Sequence, residues 1–477
     1  MLGSLCCALA LLRANAPFMR PASASAPSTE HHDVLRTLDR AAPFTRRGFF
    51  RLTSGTALTF GTLPALAADS SLTSSRRYAP LLSGPFDVPS AARATVREEL
   101  VAGRVWTFDQ VQGVIYVHVP VRMTVVKLDG GGLFVYAPVA PTIECLRLLS
   151  EVEAVHGPVR HILLPTLALE HKSFAGAFAN ARPKAQLWVA GAQYSFPLDL
   201  PLWAQGFPLN TKLLPNEGEP PPEWATQLPY RILGPLEEKS GKFQEVVCFD
   251  TATSSLLVTD LVVGIPTEAP AIVRENDERA LLFHSRDSPA DSPVKTTEAL
   301  TIGWRKICLF ALYFQSSPLA VTVTPDGSLL GATRFFRSAF PAEVPPDARA
   351  LGWYGFIPWS WEPNWPDAFE KLRGNGKPLV APILQVAVLN REPAKVLEFV
   401  ERVANDFAFT SIVSCHFEPR LKAGPSDWSA AFDFLRKQPI GGSTARKPLP
   451  EADLAFLRSF EQQLVKLGSI RPAAPLA

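Results

Sequence analysis

His161-Ile162-Leu163-Leu164-Pro165-Thr166-Leu167-Ala168-Leu169-Glu170-His171 opens on an apolar strand, breaks at a proline, and leads within a few residues into a helix predicted over Glu170–Ala179. Upstream, Thr142–Val155 carries apolar residues at Ile143, Leu146, Leu149, Val152 and Val155, a helical spacing that Gly157-Pro158 ends. Downstream, Gln186–Ala190 returns to strand patterning. Helix, strand, helix and strand within about fifty residues predict an α/β fold with a layered sheet.

Short β-branched or aromatic runs at Val114–Val119, Met123–Leu128 and Leu133–Tyr136 precede this unit, with Gly130-Gly131-Gly132 as a turn between the last two. They predict an antiparallel opening to the sheet. After a proline-rich loop at 197–222, strand patterning resumes at Phe243–Phe249 and Ser255–Ile265. Trp304–Phe314 reads as a buried core helix, since it carries Arg305 and Lys306 and is far shorter than the ~20 residues a membrane span needs. A hairpin is expected over Val321–Leu330 with Pro325-Asp326-Gly327 at its tip, and the tryptophans from Trp353 to Trp365 are expected in core packing. Helices are predicted over Glu392–Asn405, Asp427–Lys437 and Leu449–Leu467, with a strand at Phe409–Ser414.

The first residues read as addresses. Thr45-Arg46-Arg47-Gly48-Phe49-Phe50-Arg51 opens a weakly apolar run that closes on Ala65-Leu66-Ala67, the pattern of a twin-arginine export signal. Residues 1–44, rich in Ala, Ser, Pro and Arg, have the composition of a plastid transit peptide. The apolar run Leu2–Leu12, ending Ala14-Asn15-Ala16, is open to a further reading as an ER signal over residues 1–16. The combination predicts the thylakoid lumen of a chloroplast. Residues 68–100 read as a linker or lead-in, 101–440 as the main domain and 441–477 as a C-terminal helical extension.

Seven of the 47 basic and three of the 45 acidic residues lie within residues 1–67. The remaining chain therefore has a formal net charge of −2, and no basic stripe with interleaved aromatics is left to suggest nucleic acid. Cys145, Cys248, Cys308 and Cys415 form no C-x-x-C pair and sit in apolar contexts, which predicts core packing; the oxidising lumen leaves a disulfide open, with its pairing unspecified.

Of the six histidines beyond residue 67, His118, His156, His161 and His284 are assigned structural or surface roles. His171, Asp260 and His416 each fall just beyond the carboxyl end of a predicted strand, where side chains from distant positions converge in layered α/β proteins. With Glu170 they form a candidate metal set. Phosphate-binding glycine loops are absent, and Ser195 lacks the glycines of a nucleophile elbow.

The segments Val121–Leu128, Ala137–Thr142, Glu170-His171-Lys172, Ser195-Phe196-Pro197-Leu198 and Gly303-Trp304-Arg305 resemble, in order, a plastid and cyanobacterial family called domain of unknown function 4336 (DUF4336). The resemblance spans about residues 100–437. It implies a divergent metallo-β-lactamase-like fold, an αββα sandwich, here with an additional C-terminal helix, and it implies no established activity. Active members of that wider fold carry H-x-H-x-D-H after a strand. Here Thr166 and Ala168 stand where the leading histidines would be, so the set for one metal position remains: Glu170, His171, Asp260 and His416.

Two imidazoles and two carboxylates suit one Zn, Fe or Mn ion. Two functions stay open. One is a single-metal hydrolase acting on a small molecule. The other is a non-catalytic lumenal factor that binds a thylakoid protein complex, with the two histidines left around an empty pocket.

Overall fold

The computed structural model describes residues 75–76 and 93–477, except 115, 196–198, 240, 322–343, 352–354, 356, 358 and 441–445. The export signals read over residues 1–67 lie outside the described residues.

Two sheets form the centre. The larger runs in spatial order through β1 (Val96–Val101), β2 (Val105–Val114), β3 (Val117–Lys127), β4 (Leu133–Tyr136), β5 (Val159–Leu164), β6 (Gln186–Val189) and β7 (Lys212–Leu213). β1 to β4 are antiparallel neighbours and β4 to β7 are parallel. The smaller sheet contains β8 (Tyr230–Glu238), β9 (Gly241–Asp250) and β10 (Ser255–Val258), joined as an antiparallel meander. A two-stranded ribbon pairs β11 (Leu319–Val321) with β12 (Trp359–Trp361), and β13 (Ser411–Ser414) completes the smaller sheet beside β10.

The alternation of side chains along each strand builds the layers. On β9, Val246 and Cys248 pack with Phe134, Tyr136 and Leu163 of the larger sheet, which fills the space between the sheets. Val247 and Phe249 point the other way, into a core shared with the helices behind the smaller sheet. On the outer face of the larger sheet, Ile162, Leu164, Leu187 and Val189 meet Cys145, Leu149, Ala175 and Phe178 of α1 (Ile143–His156) and α2 (Leu169–Ala181). The order is helices, sheet, sheet, helices: an αββα sandwich, as expected.

Behind the smaller sheet lie α3 (Ala271–Asp277), α4 (Arg279–Ser285), α5 (Thr297–Tyr313) and α6 (Pro393–Asp406). The C-terminal helix, α7, spans Glu451–Lys466. Trp304, fully buried on α5, donates from its indole to the Pro266 carbonyl at 3.0 Å, so this is the core helix anticipated. Among the described residues no helix is long and apolar enough to cross a membrane.

Several elements differ from the sequence reading. Val114–Val119 is not one strand: the chain turns between Val114 and Val117, with Tyr116 at φ 60°, because apolar residues continue across the turn without a proline or asparagine to mark it. β2 escaped notice because polar side chains are buried within it. Gln110, fully buried, donates to Thr95 Oγ1 at 3.1 Å and to the Ala140 carbonyl at 2.8 Å. β1 begins at Val96, inside the stretch read as lead-in. The run from Ser255 leaves the sheet at Val258 rather than Ile265. Most of the expected hairpin, including its tip, lies outside the described residues; its first residue, Val321, belongs to β11 and pairs with Trp359.

Candidate metal centre

β10 and β13 are parallel and in register, with Val258 opposite Ser414. Two residues beyond each strand end stand Asp260 and His416, so the pairing that aligns the strands also sets these two side chains side by side. The third member comes from the other sheet. β5 ends at Leu164, and after Pro165 the chain pairs Thr166 with Glu245 of β9 before entering α2. His171 lies in the first turn of that helix, fully buried.

Among the described residues, the side chains able to ligate a metal together are His171, Asp260 and His416, whose ligand atoms all lie within 4.8 Å of one another. His416 Nε2 is 3.3 Å from Asp260 Oδ1. That is the separation of two ligands on one tetrahedral ion with bonds of about 2.0–2.1 Å. The rings of His171 and His416 meet edge to face, 5.4 Å between centroids. Glu170 is buried at the start of α2 and adds negative charge beside both imidazoles, but it is not among the converging ligand atoms.

The protonation pattern fits a cation. His416 Nδ1 lies 2.9 Å from the Pro120 carbonyl, which can only accept, so Nδ1–H donates there and Nε2 is the nitrogen turned toward the site. Nε2 then faces a carboxylate oxygen without the alignment of a hydrogen bond. Two acceptors at 3.3 Å need a proton or a metal ion between them. Burial pulls His416 down, but the Asp260 carboxylate together with Glu170 and the Pro120 carbonyl outweighs it and raises the imidazole above its usual range, so without a metal ion a proton bridges the pair. Burial presses His171 down to about 4, with His416 adding to the effect, so its ring is neutral near pH 7. Neither ring nitrogen of His171 has a hydrogen-bond partner. A buried polar atom left so costs roughly 1–3 kcal/mol, which ligation would offset.

Two charged side chains that the sequence reading did not single out hold the ligand loops. Arg122 on β3 forms a two-pronged ion pair with Asp109, at 2.7 and 2.6 Å, and donates to the carbonyls of Ser414 and Phe417 on either side of His416. Glu245, fully buried, accepts the backbone N–H groups of Thr259, Asp260 and Leu261 at 2.7, 2.9 and 3.1 Å. Burial, and after it the charge of Asp260, raise the Glu245 carboxyl above the usual range. The available signal was a charged residue inside an apolar strand run, Phe243-Gln244-Glu245-Val246-Val247. Thr166 donates to Asp260 Oδ2 at 3.3 Å.

The remaining histidines stay apart from this group. His161 Nε2 is 3.1 Å from Glu223 Oε1, and His284 stacks on Trp359. Among the described residues Cys145, Cys248, Cys308 and Cys415 are buried and free, and burial raises their thiols, Cys145 to about 12.

Comparison with known families matches residues 102–434 to the family described as domain of unknown function, DUF4336. The chain belongs to this family. No curated protein matches it. Among solved structures it is similar to the metallo-β-lactamase FIM-1 from Pseudomonas aeruginosa in its mono-zinc form, 13% identical over 39% of this chain and 76% of that one, TM-score 0.27. It is also similar to a metallo-β-lactamase from Pontibacter korlensis, 12% identical over 37% and 76%, TM-score 0.27. A third likeness is the metal-soaked Flv1 flavodiiron core from Synechocystis sp. PCC6803, 9% identical over 72% and 60%, TM-score 0.34. The αββα order of this family member rests on the core packing described above.

Proposed function

We propose that this protein is a lumenal metalloprotein that holds one Zn, Fe or Mn ion through His171, Asp260 and His416 and serves as a hydrolase. One observation carries the reading: two buried imidazoles and a carboxylate converge, with both His171 nitrogens unpartnered and His416 Nε2 turned onto Asp260 Oδ1 at 3.3 Å. An ion bound there supplies Lewis acidity toward an ester, thioester or amide carbonyl. The chain's own residues prepare the position. The Pro120 carbonyl fixes the His416 tautomer, burial keeps His171 neutral, and the Thr166 hydroxyl orients Asp260. With Thr166 and Ala168 in place of two imidazoles, a second ion lacks ligands there.

Elemental mass spectrometry on chelator-free protein tests the reading. About one equivalent of metal, lost in a His171→Ala/His416→Ala variant, is expected and leads to hydrolase screens. No metal in either protein overturns it and leaves a non-catalytic factor, for which thylakoid complexes are the partners to capture. The lumenal address is supported by Arg46-Arg47 and the Ala65-Leu66-Ala67 ending. Import into isolated thylakoids should stop when both arginines become lysine.

A further inference from the structure

Glu245 occupies a place where a carboxylate is expensive. It shares one face of β9 with Phe243, Val247 and Phe249, all packed in the apolar core behind the smaller sheet. Its acceptor oxygens are taken by backbone amides rather than by a cation. A buried carboxylate without a cationic partner is strongly destabilising unless its hydrogen bonds are well made. Here they converge from three consecutive residues, Thr259, Asp260 and Leu261, the segment that carries Asp260 out of β10. The backbone of the same residue bridges to Thr166, and the Val246 amide donates to the Pro165 carbonyl at 2.8 Å. One residue thus holds the aspartate loop by its side chain and, by its backbone, the segment leading to His171.

We propose that Glu245 is a positioning residue that sets Asp260 against His171 and His416; its effect on metal affinity rests on the metal reading above. A carboxyl group turns an acceptor oxygen to each end of the row of three N–H groups, where an amide offers one acceptor and a donor. The Glu245→Gln side chain would turn an NH2 toward at least one of them and release the loop.

The test has two arms on the full chain. Hydrogen exchange of the metal-free protein should show the Thr259, Asp260 and Leu261 amides exchanging at least roughly 10-fold faster in Glu245→Gln, with the Val247 and Leu257 amides unchanged. Zn²⁺ titration of the folded variant should show affinity reduced about 10–100-fold, the usual effect of removing support behind a ligand. Unchanged exchange at the three amides overturns the proposal. So does Zn²⁺ affinity equal to wild type in a variant with a lowered Tm, the signature of a merely structural role. If wild type binds no Zn²⁺, the metal reading falls alone and the exchange arm decides whether Glu245 positions the loop. Should Glu245→Gln fail to fold, Glu245→Asp, which keeps the carboxyl group and shortens the reach by one methylene, carries the same two measurements.

Discussion

His118 and His171 are buried alike, at 1% and 0% exposure, burial presses both imidazoles to about 4, and neither has a hydrogen-bond partner on its ring nitrogens. Beside His118 lies the ring of Tyr116, at 5.7 Å between centroids, and among the described residues no carboxylate or second imidazole joins it in a ligand group. Around His171 stand His416 and Asp260. Burial and a perturbed imidazole are therefore common to a core position and a candidate site. What separates them is convergence, because a metal ion is held by several donors at once and not by one unpaired nitrogen.

The largest effect that could break this contrast is on metal content. His171→Ala should take the protein from about one equivalent to none, while His118→Ala should keep its metal. Equal retention in both would erase the difference. Next comes Asp260→Asn, which keeps shape but removes the one charged donor of the trio. Competition with a chelating dye should show affinity lower by roughly 100-fold or more, beyond the 10–100-fold expected from groups behind the ligands.

A smaller effect sharpens the His118 side. Its imidazole titrates near 4 when folded and near 6.5 when unfolded, so the unfolded chain takes up the proton first as pH falls. The stability this burial reflects is present above pH 6.5 and lost as pH falls toward 4, amounting to about 2 kcal/mol between pH 7 and pH 5. Urea unfolding of the metal-free protein should therefore show a steeper loss on acidification for wild type than for His118→Phe. Parallel losses would mean that His118 is not held neutral by the fold. The smallest expected signal is from the thiols. Cys145, Cys248, Cys308 and Cys415 should resist a thiol reagent in the native protein and react only after denaturation, since burial raises each of them.

Much of the fold was legible because its signals are local. Thr142 caps α1 by accepting the Cys145 amide at 3.1 Å, and Gly157 ends it at φ 92°, as the residue types there predict. Leu133–Tyr136 was read with its observed limits because a run of four apolar or aromatic residues, all buried, follows the glycine turn. β2 was missed because Asp109, Gln110 and Gln112 are buried inside it, satisfied in part by partners that periodicity does not show. At the site, His171, Asp260 and His416 were legible as strand-end residues. Glu170 was legible as a neighbour of His171, but a helix turn directs successive side chains apart, and it does not join their ligand atoms.

The sequence alone determined the α/β alternation from 142 to 190, the cap residues, the core character of the cysteines and the small set of residues from which a metal centre could be drawn. Each of these depends on neighbours within a turn or two of chain. Only the tertiary structure decided that β13 lies parallel to β10, that Thr166 bridges to Glu245, and that Arg122 and Glu245 grip the loops on which His416 and Asp260 stand. Those pairings join strands far apart in the chain and are selected by how both sheets bury their faces together, so the pattern of any one segment leaves them open.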